Sequence, residues 1–468
     1  MRKHQLYQLP PFLILQWKRG RQRSALPLRR NHAATHLCAG FAGIINGRTL
    51  NAGLTLQVMM PHLFLLWLLR GRQFRIQAMR LVKFSIRGLR SLKNLSWKPG
   101  NLNVLIGPNG SGKSNLMRSL ELIRQAGTSD LDSAIIREGG IGALLWDGRA
   151  GEVGWEMEIE PGFTPPVNRP DERLRYDLIL SPMGYGRGYR IDRELLCNVS
   201  PGNHAQDFKY FERDQRTATS LDVPVARERL EETQTILAQT AKTFSKPDVF
   251  FLFTYLKAWG IYHDLAVQQN SLVRRAAITR TESRLAPDGE NLVAVLHTLY
   301  TTDREFKSQV NDAMRAAFGK EFEGLEFTPA EDQRVQMRVQ WKSLKSLQSA
   351  ADLSDGTLRF LMLVAILANS ARGDLVAIDE PETHLHPSMF PIIAELAVEA
   401  SRSSQIVFTT HSPEFLTAIG PSKPTTGVLQ CIAGETKLSI LDGQDLQRWL
   451  EKYKLGELFV SGELEALA

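Results

Sequence analysis

Polar and apolar residues alternate along several stretches of the chain, and each such stretch predicts a strand with one buried face. Alternation runs through residues 82–87, 153–159 and 335–341. The apolar residues at 176–180 are followed by a glycine-rich run, 184–188, that is typical of a tight turn. The middle segments therefore predict an antiparallel β layer containing a hairpin.

Three short, largely apolar runs predict strands that are buried on both faces. They lie at 104–106, 375–378 and 405–408. Helical periodicity dominates from about 225 to 318, and within it the aromatic cluster at 249–253 is interpreted as apolar core in preference to a base-stacking surface. Buried strands, an antiparallel layer and a helical region together indicate an α/β protein.

Charge is divided unevenly along the chain. Of 57 Lys+Arg and 50 Asp+Glu, residues 1–78 contain 12 basic residues and no carboxylate. The rest of the chain therefore holds 45 basic and 50 acidic residues, a net charge of −5. The basic pI belongs to the prefix 1–78 and gives no support to a nucleic-acid partner for the body. The absence of acidic residues nevertheless continues beyond Met79, because the first carboxylate in the sequence is Glu121.

Three interpretations of the prefix 1–78 stay open. An over-extended N-terminus is favoured, with Met79 as the true start, because Met79-Arg-Leu-Val-Lys-Phe is a natural first strand. A targeting peptide fits the Arg-rich, acid-free composition but not the scarcity of serine. A membrane anchor at 54–69 is third, because the run is shorter than the ~20 residues of a span and contains Gln, Pro and His. We expect no stable membrane insertion.

The cysteines indicate the redox setting. Cys38, Cys197 and Cys431 are far apart and lie in no metal-ligand spacing. This usage predicts a reducing, cytoplasmic setting without a disulfide framework.

Candidate chemistry begins at Gly107-Pro-Asn-Gly-Ser-Gly-Lys-Ser114, between a predicted buried strand and a helical period. The spacing G-x-x-x-x-G-K-S in that context is the Walker A pattern. Gly107, Gly110 and Gly112 permit the backbone turns that aim N–H groups at phosphate oxygens. Lys113 can reach the β and γ phosphates and the Ser114 hydroxyl can ligate Mg²⁺, which predicts nucleotide binding.

Three further phosphate-related features follow downstream. Leu353-Ser-Asp-Gly-Thr-Leu-Arg359 places a serine and a glycine at the start of an apolar helix, an anion-binding arrangement. The next apolar run ends in Asp379-Glu380, the Walker B arrangement, in which Asp379 would hold Mg²⁺ and Glu380 would polarise the attacking water. The last run leads into Thr409-Thr-His411-Ser412. This order is typical of a nucleotide hydrolase.

The segments GPNGSGKSN, LSDGTLRF, VAIDEPETHLHP and FTTHSPEFL together resemble the ABC-type ATPase heads of the RecF/SMC-like class, in particular compact ATPases of a prokaryotic AAA-like family. The likeness runs from Met79 to the C-terminus and includes the less specific segments Pro287–Leu292 and Trp449–Phe459. It implies an α/β P-loop NTPase fold with a mixed central sheet, an antiparallel β layer and an inserted helical subdomain.

The resemblance also implies that ATP and Mg²⁺ are shared across a head-to-head homodimer. One subunit would bind Mg-ATP, with Ser114 and Asp379 on the metal, while Ser354, Asp355 and Gly356 of a second subunit would cap the γ-phosphate. Lys113, Glu380 and the γ-phosphate sensor His411 are the expected catalytic residues. The expected nucleotide-binding residues are Gly107, Pro108, Asn109, Gly110, Ser111, Gly112, Lys113, Ser114, Asn115, Ser354, Asp355 and Gly356.

Four segments are expected along the chain. They are the prefix 1–78, an N-terminal ATPase lobe at 79–205, a helical insertion at 206–330 and a C-terminal ATPase lobe at 331–468. The N-terminal lobe would carry Walker A and the β layer, and the C-terminal lobe would carry the signature, Walker B and the histidine.

Two features depart from the wider class. Asp355 stands where transporters commonly have glycine, and no Q-loop glutamine can be assigned, because Gln125 is too close to the P-loop helix. His384 and His386 follow the Walker B carboxylates, but without further ligands nearby they indicate a structural loop in preference to a metal site.

Three functions remain open. The first is a DNA-transacting or genome-defence ATPase whose ATP-bound dimer closes on double-stranded DNA. The second is a regulatory switch that controls a partner nuclease or toxin without binding DNA itself. A transporter motor is disfavoured, because Lys113 and Ser354 are much farther apart than in transport ATPases and the signature is SDGT instead of SGGQ.

Overall fold

The computed structural model describes residues 79–128, 130–148, 150–161, 173–184, 188–199, 208–214, 217–220, 231–240, 247–441 and 454–464. The prefix 1–78, Cys38 and part of the segment Trp449–Phe459 lie outside these residues. The interpretations that concern them therefore stay predictions. No helix in the described part of the chain has the length and apolarity that a membrane span requires.

Helices and strands alternate irregularly along the described residues. The strands are β1 (Arg80–Leu89), β2 (Leu92–Trp97), β3 (Leu102–Ile106), β4 (Val153–Glu160), β5 (Arg173–Met183), β6 (Gly188–Val199), β7 (Phe208–Arg213), β8 (Ala218–Ser220), β9 (Gly260–Tyr262), β10 (Ala277–Ile278), β11 (Phe322–Ala330), β12 (Arg334–Trp341), β13 (Gln348–Ser349), β14 (Leu375–Asp379), β15 (Gln405–Thr410), β16 (Thr425–Ile432) and β17 (Glu435–Leu441). The α-helices are α1 (Lys113–Thr128), α2 (Leu131–Arg137), α3 (Ile141–Leu144), α4 (Ile236–Thr240), α5 (Pro247–Ala258), α6 (Leu292–Thr302), α7 (Arg304–Phe318), α8 (Asp355–Leu367), α9 (Phe390–Ala400), α10 (Pro413–Ile419) and α11 (Leu455–Val460). Short 3-10 helices include Leu272–Arg274 and Ala350–Asp352.

The central sheet has the strand order β17-β16-β3-β15-β14-β9. Within it β3, β15, β14 and β9 are parallel neighbours, and β16 is parallel to β3. Every residue of β3 and β15 is buried, as strands covered on both faces require. The carboxyl ends of parallel strands share one edge, so the residues that follow these strands meet along one rim.

A second, antiparallel sheet has the order β2-β1-β4-β5-β6-β7-β8. Trp155 of β4 pairs with Ile86 of β1 and with Leu178 of β5, so the alternating apolar positions share a face. This face joins helix α1 in a hydrophobic cluster that includes Phe84 and Leu120. Pairing between β5 and β6 along their length confirms the predicted hairpin.

A small third sheet has the order β10-β12-β11, with β13 paired to β12. It shares a hydrophobic cluster with α6, α7, α8 and α9, in which Met314, Val339 and Phe360 are buried. Helix α7 begins after Asp303, whose carboxylate accepts the N–H groups of Glu305 and Phe306 at 3.0 Å. The α/β fold with a mixed central sheet and an antiparallel layer is thereby confirmed.

The segment 206–330, predicted as a helical insertion, contains α4 to α7 but also contributes strands to all three sheets. Strand β9 lies in the central sheet, and β11 pairs with β12 across the expected boundary at 330. Strand β9 has three residues, too few for a period-two pattern to be recognised. This segment is therefore interwoven with the sheets and is not purely helical.

The aromatic cluster around α5 belongs to the core, as predicted. Val249, Leu252 and Tyr255 are buried, and the Tyr255 and Trp259 rings meet edge to face with centroids 5.5 Å apart. Phe250 is 48 % exposed and lies at the margin of this cluster.

Candidate functional site

The loop 107–112 joins β3 to α1 and requires glycine at two points. Gly107 has φ +151° and Gly112 φ +105°, and a Cβ on these residues would lie 2.2 Å from the Leu429 carbonyl oxygen and from Thr436 Oγ1 respectively. Gly110, with φ +79°, faces open space. The loop is thus closed against β16 and β17 on one side and open on the side of Gly110, which leaves room for a phosphate group.

Thr436, at the start of β17, holds this loop in place. Its hydroxyl donates to the Ser111 carbonyl at 2.9 Å, and its N–H donates to the Ser91 carbonyl at 2.8 Å. Asn115, a predicted nucleotide-binding residue, donates its side-chain amide to Ser91 Oγ at 2.8 Å. Ser111 Oγ is buried without a hydrogen-bond partner in the described residues, so a phosphate oxygen would satisfy it. Pro108 and Asn109 are exposed, as is Gly110.

Lys113 is folded back into the loop. Its side chain is 6 % exposed, and Nζ donates to the carbonyls of Gly107 at 2.6 Å and Pro108 at 3.1 Å. Burial lowers the pKa of Lys113, while the negative charges of Glu380 and Asp379 oppose that shift. The ammonium group therefore lies between the loop and the acidic rim.

Asp379 ends β14 and meets groups from three neighbouring elements. Its carboxylate accepts the Thr409 hydroxyl hydrogen and lies 3.9 Å from Nδ1 of His263, which follows β9. Burial raises the pKa of Asp379, but the His263 ring and the hydroxyls of Thr409 and Ser114 outweigh burial and leave it below its usual value. The structure thus brings Ser114 to Asp379, an oxygen donor set that suits Mg²⁺.

Glu380 and His411 lie together at the ends of adjacent strands. Glu380 Oε1 is 2.9 Å from His411 Nδ1. Glu380 has a φ of 45°, uncommon for a residue with a side chain, and such strain persists where surroundings enforce it. Its N–H donates to the Thr409 carbonyl at 3.1 Å, and its carbonyl accepts from Arg359 Nη2 at 2.8 Å. Strand β15 and helix α8 therefore fix the Glu380 backbone.

Glu382 is a buried carboxylate beside this pair. It is 8 % exposed and accepts the Thr410 hydroxyl hydrogen and the His411 N–H, the latter at 3.4 Å. Its Oε2 has no hydrogen-bond partner in the described residues, and burial raises the pKa of Glu382. Glu382 thus supports the backbone that carries His411.

Ser354, Asp355 and Gly356, the predicted cap, lie at the start of α8. Ser354 Oγ accepts the Thr357 N–H at 3.1 Å, and the side chains of Ser354 and Asp355 are exposed. A Cβ on Gly356 would lie 2.6 Å from the His384 carbonyl oxygen, which places the cap beside the loop after β14. In the described residues, no hydrogen bond of the cap reaches the glycine loop 107–112. Within one copy, cap and loop are therefore not joined by a hydrogen bond in the described residues.

Sequence reasoning did not identify His263, Arg359 or Glu382 as site residues. Arg359 and Glu382 lie inside recognised motifs, but their roles depend on which backbone groups they reach in the fold. His263 follows the three-residue strand β9, and nothing in the local pattern signals that it lies beside Asp379.

His384 and His386 are exposed, and His386 has a local structural role. Its Nδ1 accepts the Ser388 N–H at 3.3 Å and lies 2.8 Å from Ser388 Oγ, capping a short 3-10 helix. No group of three or more His, Cys, Asp and Glu side chains in the described residues could hold a metal ion.

A glycine loop between a buried strand and a helix, with an Asp-Glu pair on the same rim of a parallel sheet, defines a P-loop NTPase. The chain belongs to the family described as "AAA domain, putative AbiEii toxin, Type IV TA system", whose model matches residues 102–417. The match extends from the first residue of β3 into α10 and confirms the resemblance to AAA-type ATPases.

Solved structures similar to the chain include three SMC head domains. One SMC head, bound to the C-winged helix domain of ScpA, has 13 % identity over 78 % of this chain and 99 % of its own, with a TM-score of 0.49. An Smc head with an extended coiled coil, bound to the C-terminal domain of ScpA derived from Pyrococcus furiosus, has 12 % identity and a TM-score of 0.44. The match covers 80 % of this chain and 99 % of that structure's chain. The SMC head from Thermotoga maritima has 13 % identity and a TM-score of 0.38, and the match covers 78 % of this chain and 100 % of that structure's chain. No curated protein matches the chain.

Proposed function

We propose that this chain is a Mg²⁺-dependent ATPase of the RecF/SMC-like type, which forms an ATP-bound head-to-head homodimer in DNA repair, DNA maintenance or genome defence. The observation that carries the proposal is the convergence of Lys113 in the glycine loop, Asp379 at the end of β14 and the Glu380–His411 pair on one rim of the central sheet. Membership of an AAA family supports nucleotide hydrolysis.

Each residue on the rim has a role that its surroundings favour. The loop amides and Lys113 would bind the phosphates, and Ser114 with Asp379 would hold Mg²⁺, which neutralises phosphate charge when bound. Glu380 would orient and polarise the attacking water, because two backbone hydrogen bonds fix its position. His411, 2.9 Å from Glu380, would contact the γ-phosphate.

A second copy would complete the site. Developing charge in phosphoryl transfer needs donors on several sides, and those donors are strongest where water is excluded. Ser354 and Asp355 of the cap are exposed, and in the described part of the chain the cap forms no hydrogen bond with the glycine loop, so it would cover the γ-phosphate bound by a partner. Two such sites would form per dimer.

Turnover by variants of the full chain tests the catalytic part of the proposal. The parent should hydrolyse ATP slowly and only with Mg²⁺, whereas Lys113→Ala and Glu380→Gln should each lose about 100-fold or more in turnover. A fluorescent ATP analogue should still bind Glu380→Gln but not Lys113→Ala. Undiminished turnover in Lys113→Ala would contradict the proposed role of the loop.

The proposal also includes DNA binding, which needs its own test. On the outer face of the antiparallel sheet, Lys83 pairs with Glu156 at 2.6 Å and Arg87 with Glu152 at 2.9 Å, so this face is less positive than its cations suggest. Filter binding of double-stranded DNA with and without ATP, on the chain from Met79 beside the full chain, separates the body from the basic prefix. ATP-dependent retention by the body supports the DNA role.

A second candidate function is a regulatory switch whose dimer controls a partner nuclease or toxin without binding DNA. The family description favours it, because it names an AbiEii toxin of a type IV toxin–antitoxin system. ATP-dependent dimerisation without any DNA retention in the filter assay would select this candidate.

A further inference from the structure

Arg274 lies buried behind the cap and bonds on both sides of Ser354. It is 7 % exposed. Its Nη1 donates to the carbonyls of Leu353 at 2.6 Å and Ala351 at 3.1 Å, and its Nη2 donates to the Asp355 carboxylate. One guanidinium group thus fixes the backbone before Ser354 and the side chain after it.

Arg274 is itself fixed by a hydrogen bond on the side away from the cap. Its Nε donates to the Val267 carbonyl at 3.0 Å, and it ends the 3-10 helix Leu272–Arg274. The segment that carries it begins at His263, beside Asp379. The guanidinium group is therefore a fixed charge at the cap.

Asp355 makes this charge necessary. A carboxylate in the first turn of α8 suits the partial positive charge of the helix N-terminus. The same carboxylate would repel a triphosphate placed against Ser354 and Gly356, since like charges at close range repel unless a counter-charge neutralises them. Glycine, common at this position in transporters, would raise no such conflict.

Resting on the proposed ATP-bound dimer, we propose that Arg274 is a positioning residue that neutralises Asp355 and fixes the turn before Ser354, so that the cap accepts the γ-phosphate of a second copy. The Arg274–Asp355 pair makes an aspartate-containing signature compatible with a bound triphosphate. Arg274 acts through the cap and does not touch the nucleotide.

Rescue by a second substitution tests this inference. In the Glu380→Gln background, Arg274→Gln should raise the dissociation constant of the ATP-bound dimer about tenfold or more, while affinity for a fluorescent ATP analogue stays within about threefold. Adding Asp355→Asn removes the unpaired carboxylate and should recover most of the lost dimer affinity. A purely structural role for Arg274 would show no such recovery, and a double variant no better than Arg274→Gln overturns the inference.

Two further variants keep the test sharp. Arg275→Gln is the matched control, because Arg275 is the exposed neighbour with the same charge, and it should dimerise like the parent. Should Arg274→Gln lose nucleotide binding through misfolding, Arg274→Lys carries the test. It keeps a charge opposite Asp355 but loses the paired hydrogen bonds to the Leu353 and Ala351 carbonyls, so its dimer should weaken by less than the roughly tenfold expected of Arg274→Gln, whereas a loss of about tenfold or more overturns the inference.

Mixed dimers separate this inference from the proposed function. Lys113→Ala mixed with Arg274→Gln leaves one complete site, so the mixture should turn over ATP faster than either variant alone, as should Lys113→Ala mixed with the cap variant Ser354→Arg. Lys113→Ala mixed with Glu380→Gln leaves no complete site and should stay inactive. If only the Ser354→Arg mixture regains turnover, the inference fails and the dimer stands. If neither mixture regains turnover, both fail.

Discussion

Lys113, the proposed phosphate ligand, is buried in a way that should destabilise the protein when no nucleotide is bound. Its ammonium is 6 % exposed and is held by backbone carbonyls, and moving an ammonium group out of water costs free energy. We predict that Lys113→Met abolishes nucleotide binding yet raises the Tm of the nucleotide-free protein by ~2 °C. Scanning fluorimetry without nucleotide measures this. A Tm several degrees below the parent would show instead that Lys113 stabilises the fold.

Arg359 should matter for turnover more than for binding. It is 4 % exposed, and its guanidinium donates to the carbonyl of Glu380, the residue with a φ of 45°. In Arg359→Lys the shorter ammonium would release this backbone, so we expect kcat to fall about tenfold with ATP affinity within about threefold, because small misplacements of a catalytic group are costly. Steady-state kinetics and nucleotide titration measure the two effects.

The control for Arg359 is Arg402→Lys, since Arg402 is an exposed arginine paired with Glu399 on α9. It should turn over ATP like the parent. Equal decreases in kcat for both variants would contradict the proposed role of Arg359 in positioning Glu380.

Residues that act within a contiguous motif were the predictable ones. The glycine loop, Asp379 and Glu380 follow from spacing, because each belongs to a short motif that can be recognised in the sequence without knowing its partners in the fold. Arg274 reaches Asp355 from 81 positions away, and such a partner has no local signature. The signature motif could therefore be recognised from the sequence, whereas the arginine that fixes its position could not.

Among the elements, α4 depends on a single buried carboxylate of β6. Glu194 is fully buried, accepts the N–H groups of Ile236 at 2.6 Å and Leu237 at 3.0 Å, and lies 3.6 Å from Arg213. We predict that Glu194→Leu destabilises the protein by about 3 kcal/mol, because it leaves the Arg213 charge buried without its partner. Thermal unfolding and proteolysis near residues 231–240 measure this.

Glu212→Gln provides the comparison for Glu194. Glu212 pairs with Lys209 near the surface at 2.6 Å, and exposed pairs contribute about 0–1 kcal/mol. The expected change in stability is therefore small. A Glu194→Leu variant as stable as Glu212→Gln would show that α4 is held by other contacts.

Elements with a clear period were predicted, and brief ones were not. The alternation at 153–159 became β4, and the run at 104–106 became the end of β3. Strands β8 and β9 escaped prediction because they have three residues each, and β9 depends on pairing with the distant strand β14. The expectation of a helical insertion was incomplete for this reason.

At the scale of the whole molecule, the order of the central strands separates the glycine loop from the segment that carries Arg274. The loop follows β3, and strands β15 and β14 separate it in the sheet from β9, whose following segment carries Arg274. In the proposed dimer each copy would present two half-sites, one that binds phosphates and one that caps them. The family supports nucleotide chemistry, and the division between copies is the central proposal.

Sedimentation of Glu380→Gln tests this division most directly, because the variant should bind ATP without consuming it. With ATP and Mg²⁺ we predict a species of twice the 52.6 kDa chain mass, and without ATP a monomer. Lys113→Ala should stay monomeric under both conditions. A Glu380→Gln variant that binds ATP and yet sediments as a monomer at every concentration would contradict the account.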